Sequence, residues 1–254
     1  MRAAKLSAAA LALIGAVLSF SSARAQETEA LPEAHWSFGG IFGVFDHAAA
    51  RRGFQVYKDV CSVCHSMNLL AYRNLEALGF TEDEVKAIAA SVQVPDLDDN
   101  GEIKDRPGKP SDRFQPPFPN SLAARAANNG ALPPDLSVII KARKGGADYV
   151  NAILTGFVEP PAGFKMQDGM NYNEYFPGHQ IAMPPPLQDN SVTYADKTPA
   201  TLGQESRDVS TFLAWAAEPE LEQRHETGVK VILFLIVLTL LLYAYKRKVW
   251  AKVH

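Results

Sequence analysis

The sequence predicts a mainly α-helical exported domain with long loop insertions, tethered by one C-terminal transmembrane helix. Three observations lead there. An apolar run stands at each end of the chain, each with its own flanking signal; apolar residues between them recur at helical spacing; and no alternating strand pattern of convincing length appears.

The first run sets the compartment. "MRAAK" is a short basic start, "LSAAALALIGAVLSF" is too short to span comfortably, and "ARA" before Gln26 is a small-x-small cleavage signal. Together they read as a secretory signal peptide over residues 1–25. The second run, Val231 to Tyr245, carries no charge, and Lys246, Arg247 and Lys248 follow it directly. Lys230 can extend its ammonium to the interface, so the effective span approaches the ~20 residues a bilayer needs. The basic stop places the C-terminus in the cytoplasm and the preceding domain outside. Tyr243, Tyr245 and Trp250 suit an interfacial belt. The expected organisation is a signal peptide at 1–25, an exported domain at 26–227 and an anchor with a short tail at 228–254.

Charge divides unevenly between these parts. Three of the 25 Lys and Arg residues lie in 1–25 and five lie beyond 227, whereas all 28 acids fall between. The exported part therefore keeps 17 bases and a net charge of −11, which the whole-chain value of −3 conceals. Such a field favours a cationic partner and disfavours nucleic acid.

Within the exported part, Asp46 to His65 reads as a helix, with Gly53, Val56, Tyr57 and Val60 forming one apolar stripe. Gly53 inside a helix costs ~1 kcal/mol relative to Ala, which a close helix crossing would explain. Thr81 and Glu84 form a capping box opening a short helix. Val94 to Asn120 is rich in Pro, Gly and charge and reads as surface loop. "SLAARAA" is helical, and "LSVIIKARKGGADYVNAILTGF" reads as two helices interrupted at Gly145-Gly146. Val158 to Pro199 is irregular. "RDVSTFLAWAAEPELEQR" puts Val209, Phe212, Leu213 and Ala216 on one face, with a break at Pro219 before the anchor. "DLDDNGEI" fits the first half of a calcium loop, but Pro107 stands where a bidentate Glu is required, so it reads as an acidic turn.

The chain has only two cysteines, and they stand in "CSVCH": Cys61, Cys64 and His65. This is the attachment spacing of a c-type haem. Two thiols on one helical turn add to the porphyrin vinyl groups, and the next residue puts an imidazole over the iron. Three rivals are weaker. A thiol oxidoreductase pair belongs at a helix N-terminus after a strand, where the dipole lowers a thiol pKa. A zinc site needs four ligands, and His35 and His47 lie in another spacing class. A single structural disulfide is the remaining choice.

Iron at high potential usually takes a thioether opposite the His. Met67 is too close to His65 to reach the other haem face, leaving Met166, Met170 and Met183. Met183 precedes Pro184, Pro185 and Pro186, which fix a stiff extended strap. Met183 is therefore the expected ligand, with His179 as the alternative.

At this point several long stretches agree with one family. "RRGFQVYKDVCSVCHSM", "AARAANNGALPPDLS", "KARKGGADYV", "LTGFVEPPAGF", "YFPGHQIAMPPPL" and "DVSTFLAWAAEPE" resemble cytochrome c1, in the family's order, from about residue 35 to 250. The resemblance implies a cytochrome c-type haem domain with family-specific insertions, in which the Gly53 helix crosses the Phe212–Trp215 helix. It implies one haem c held by Cys61 and Cys64, with His65 and Met183 as axial ligands. Arg143 resembles the arginine that pairs with a haem propionate. Tyr149 matches another pocket position. Asn128, Pro133 and Pro134 resemble the loop on the His side, one of whose carbonyls orients the imidazole.

The family role is that of a redox subunit in the quinol–cytochrome c oxidoreductase, a dimeric membrane complex with cytochrome b. It takes electrons from a Rieske iron–sulfur protein and passes them to a soluble, basic c-type cytochrome. In a bacterial inner membrane the haem domain would face the periplasm. A free-standing tethered c-type cytochrome is the alternative reading. One departure stands out: some bacterial members carry an extra cysteine pair that bridges loops near the Met ligand, and this chain has none.

Overall fold

The computed structural model describes residues 30–252, so the expected signal peptide lies outside the described residues. Helix α1 (His47–Asp59) opens on Asp46, whose carboxylate accepts from the Ala49 amide at 2.9 Å. That N-cap satisfies one of the donors a helix start leaves free. α1 buries Gly53, Val56 and Tyr57, the stripe read from the sequence. It ends sooner than expected. Instead of running on to His65, α1 stops at Asp59 and a tighter 3-10 turn covers Cys61–Val63. The Cys64 and His65 amides both donate to the Cys61 carbonyl, at 3.1 and 2.9 Å, which winds the haem-type motif into a single turn.

Helix α2 (Glu82–Ala90) starts on the expected capping box. The Glu84 amide donates to Thr81 Oγ1 at 3.2 Å, and the Thr81 amide donates to Glu84 Oε2 at 2.7 Å. The next stretch corrects the reading of Val94 to Asn120 as loop. It contains an antiparallel hairpin, β1 (Gln93–Leu97) against β2 (Ile103–Pro107), in the register Gln93↔Pro107 to Leu97↔Ile103. Only Val94 of these strands is buried. With almost nothing facing the core, apolar alternation had no reason to exist, and the hairpin could not be seen in the pattern. "DLDDNGEI" supplies its turn: Asp98 Oδ1 accepts the Asn100 and Glu102 amides, each at 2.9 Å.

Helices α3 (Ser121–Ala127), α4 (Ile139–Ala142) and α5 (Gly146–Thr155) follow as read. Gly145 separates α4 from α5 in the left-handed region at φ +91°, a conformation open to glycine at little cost. The long irregular segment beyond contains one two-residue ladder, β3 (Asn171–Tyr172) with β4 (Gln180–Ile181). Helix α6 (Leu202–Ala217) breaks at Pro219, and α7 (Leu221–Trp250) runs on for 30 residues. α7 is long and apolar enough to cross a membrane, and from Val229 onward its large apolar side chains are exposed.

The core forms where α1 crosses α6, with α4 and α5 also packed on α6. Gly53 meets Asp208 and Phe212 at the crossing. Aromatic rings fill the space around it: Phe54 and Phe212 lie 5.6 Å apart, Tyr57 and Phe114 5.9 Å, Phe212 and Trp215 5.9 Å. Offset and edge contacts of this kind add to area burial. Met67, set aside as a ligand on sequence grounds, is fully buried in this core.

Candidate functional site

The first half of the site is built by two segments far apart in the chain. His65 Nδ1 lies 2.8 Å from the Pro134 carbonyl oxygen. A carbonyl can only accept, so Nδ1 carries the hydrogen and Nε2 keeps its lone pair free for a metal. Burial lowers the His65 pKa, opposed by the Pro134 carbonyl and by Asp135, which favours the neutral imidazole a ligand needs. Of the three loop positions singled out in sequence, Pro134 is the one whose carbonyl meets the ring. Asn128 is spent elsewhere: its side-chain Nδ2 donates to the Ala124 carbonyl at 2.7 Å and closes the end of α3. Pro133 sits directly before Pro134 in the same loop.

Asp135 and Ser137 hold that loop against the cysteine motif, and sequence reasoning missed both. Asp135 Oδ2 accepts from Ser66 Oγ at 2.7 Å and from the Asn68 amide at 2.8 Å, while its Oδ1 accepts the Ser137 amide at 2.9 Å. Ser137 Oγ accepts the Leu69 amide at 3.0 Å, and the Leu136 amide donates to the Ser66 carbonyl at 2.8 Å. Burial works to raise the Asp135 carboxyl, but the Ser137, Asn68 and Ser66 donors outweigh it and hold it low. The signal for this clamp was present in "PPDLS", but without a partner segment it reads as an ordinary turn.

Cys61 and Cys64 are both free thiols, half-buried at the end of α1. Burial, with Cys64 beside it, pushes the Cys61 thiol up to about 12. A thiol–disulfide enzyme needs the opposite shift. Among the described residues, no group of three or more His, Cys, Asp and Glu gathers as a metal site.

The other expected ligand, Met183, lies on the strap that leads into Pro184, Pro185 and Pro186. The Met183 carbonyl accepts from Asn171 Nδ2 at 3.3 Å, and Met183 is half-buried. His179, the alternative ligand, stacks on Tyr172 with ring centroids 5.6 Å apart, and its Nδ1 lies 3.3 Å from the Asn173 carbonyl. Arg143 and Tyr149 come together at the α4–α5 junction. Burial raises the Tyr149 hydroxyl, opposed by the charge and hydrogen bonding of Arg143. Arg143 itself is exposed, with one guanidinium nitrogen on the Ala142 carbonyl at 3.1 Å. Two thiols that can form thioethers to a porphyrin, and an imidazole whose tautomer leaves Nε2 free for its iron, fit a c-type haem.

Residues 36–253 match the model of the Cytochrome C1 family. The chain is 52% identical over 248 residues to "Cytochrome c1 1, heme protein, mitochondrial" of Arabidopsis thaliana, covering 94% of this chain and 80% of that one. It is 47% identical over 264 residues to "Cytochrome c1" of Rhodospirillum rubrum, covering 96% and 97%. It is 50% identical over 224 residues to "Cytochrome b-c1 complex catalytic subunit, mitochondrial" of Candida albicans, covering 87% and 78%. With the Cys-x-x-Cys-His turn, the oriented imidazole and a match over most of its length, the chain belongs to the cytochrome c1 family.

Proposed function

We propose that this chain is the electron-transfer subunit of a quinol–cytochrome c oxidoreductase and carries one haem c. When bound, the haem supplies a one-electron iron couple. Cys61 and Cys64 would hold it through thioethers, and His65 Nε2 and Met183 Sδ would ligate the iron. Arg143 and Tyr149 would face a propionate. The observation that carries this reading is the 2.8 Å contact from His65 Nδ1 to the Pro134 carbonyl. It fixes the tautomer and the ring plane, so little rearranges when the metal is ligated.

The protein's part in the reaction is to hold, to orient and to dock. No bond at a side chain forms or breaks during electron transfer. The chain would accept an electron from a Rieske iron–sulfur protein and hand it to a soluble, basic c-type cytochrome, steered by the net charge of −11 on residues 26–227. Assembly in a membrane complex with cytochrome b is supported by the Candida albicans relative, named as a cytochrome b-c1 complex subunit, and that complex would be dimeric. The basic cluster Lys246, Arg247 and Lys248 supports a cytoplasmic C-terminus, with the domain in the periplasm of a bacterial inner membrane after removal of residues 1–25.

A reduced-minus-oxidised visible spectrum of the tagged protein, purified gently from its own membranes, tests the reading. A c-type band accompanied by b-type bands is the expected result. A c-type band alone would assign a free-standing tethered carrier, and no haem signal would overturn both.

A further inference from the structure

We propose that Asn173 is the positioning residue that registers the Met183 strap against the helical core, doing by hydrogen bonds what an extra disulfide would do covalently. The inference rests on Met183 being the iron ligand as proposed above. Both cysteines of the chain stand in the Cys-x-x-Cys-His turn, so none is left to brace the strap. The three prolines stiffen only the part that follows Met183.

Asn173 braces the part that precedes it. Its side chain has 0% exposure, and its amide group is engaged on both sides. Nδ2 donates to the Ile153 carbonyl at 2.8 Å. Oδ1 accepts the Tyr175 and Phe176 amides at 3.1 and 3.2 Å. Its backbone amide donates to the His179 carbonyl at 3.0 Å, and it pairs with Phe157 in an isolated antiparallel bridge. One residue therefore joins the end of α5, the Tyr175–Phe176 turn and the chain four residues before Met183. Ile153 is among the last four residues of α5, whose carbonyls have no partner inside the helix. Asn173 supplies one of those missing donors, and α5 is packed on α6. Asn171 adds a second tie directly on the Met183 carbonyl.

The consequence is local. Removing a buried amide takes away the donor to the Ile153 carbonyl and an acceptor of the Tyr175 and Phe176 amides, a penalty the strap can escape by lifting away. The Cys61, Cys64 and His65 contacts lie on other segments and would persist. Asn173 thus controls whether the thioether reaches the iron, not whether haem is attached.

The test compares wild type, Asn173→Ala, Asn173→Asp and Asn171→Ala in the purified complex. Covalent haem content, the thioether-to-iron charge-transfer band at the red end of the oxidised spectrum, and urea titrations followed by that band and by tryptophan emission are read for each. Asn173→Ala should keep its covalent haem and lose the band. Asn173→Asp keeps an acceptor for Tyr175 and Phe176 but no donor for Ile153. It should lose the band at lower urea than wild type while tryptophan emission changes at the wild-type concentration. Asn171→Ala should show a smaller shift in the same direction. Should Asn173→Ala fail to accumulate, the other two variants decide. A wild-type band with a wild-type urea midpoint in Asn173→Asp and Asn171→Ala overturns the proposal, as does a band and a tryptophan transition that move together. A wild-type protein with haem but no band would instead remove Met183 as the ligand, and this role of Asn173 with it.

Discussion

Gly53 of α1 lies directly against Asp208 of α6: a Cβ built on Gly53 would collide with the Asp208 carbonyl oxygen and come 2.8 Å from the Phe212 Cβ. Gly53→Ala would gain ~1 kcal/mol of helix propensity. The collision is with backbone, which cannot rotate away, so the crossing must open. With overpacking at about 3 kcal/mol, the upper end of its usual range, the expected net loss is about 2 kcal/mol. Reduced holoprotein yield and earlier thermal loss of the haem environment, followed by Soret circular dichroism, check it.

The same crossing buries an ion pair. Arg52 Nε and Nη2 donate to the two Asp208 oxygens at 2.8 and 3.1 Å, and Arg52 also reaches Asp196 at 3.1 Å. The Asp208 side chain is only 1% exposed. Asp208→Ala leaves the guanidinium with only the exposed Asp196 and should cost about 3 kcal/mol, the lower end for breaking a buried pair. The double replacement Arg52→Met with Asp208→Leu should recover most of that loss, because no buried charge is left unpaired and Asp196, which also loses Arg52, is exposed to water. Thermal melts of the two variants, side by side, test this.

Glu205 gives a pH-dependent effect of known sign. It is fully buried, its Oε1 accepts the Val192 amide at 3.0 Å, and its Oε2 has no hydrogen-bond partner among the described residues. Burial raises its carboxyl above the usual range, despite the opposing Val192 and Ser191 donors. A raised folded-state value means that this stability is complete below the unfolded-chain value and drains as pH rises through the folded one. Glu205→Gln keeps an acceptor for Val192 and cannot ionise. The variant should melt above wild type at pH 7, and the gap should close toward pH 4. A gap that widens on acidification would contradict it.

Met183→Leu should leave covalent haem in place through Cys61 and Cys64 while removing the thioether. The expected change is a fall in midpoint potential on the order of tenths of a volt, since axial-ligand identity sets potential over a wide span. A redox titration of the c-type band measures it, and an unchanged potential would remove Met183 from the ligand set.

Electron delivery to a soluble basic c-type cytochrome should slow by about tenfold or more as salt rises from ~0.01 M to ~0.15 M, where the Debye length falls from about 30 to 8 Å. The net charge of −11 on residues 26–227 is the source of the effect. Stopped-flow reduction rates across that range test it, and a flat profile would point to apolar docking.

Some of this protein is written in short stretches of chain. The Cys61–Cys64–His65 spacing defines its chemistry within one turn, the capping box of Thr81 and Glu84 sets a helix start within four residues, and length and composition alone mark α7 as apolar enough to cross a membrane. The glycine at 53 announced a helix crossing, because only close approach explains its cost. What the tertiary structure decided are pairings between distant segments. Pro134 meets His65 across 69 residues, Asp135 ties the same two segments, and Asn173 reaches Ile153 across 20. Each uses a common loop residue whose role depends on which donor or acceptor stands opposite. The hairpin β1–β2 was hidden for a related reason: its strands face solvent, so no burial pattern was imposed on their residues. Local spacing records the demands of covalent chemistry and of a bilayer, whereas a hydrogen bond between loops becomes visible only once the chain has folded and brought its two partners together.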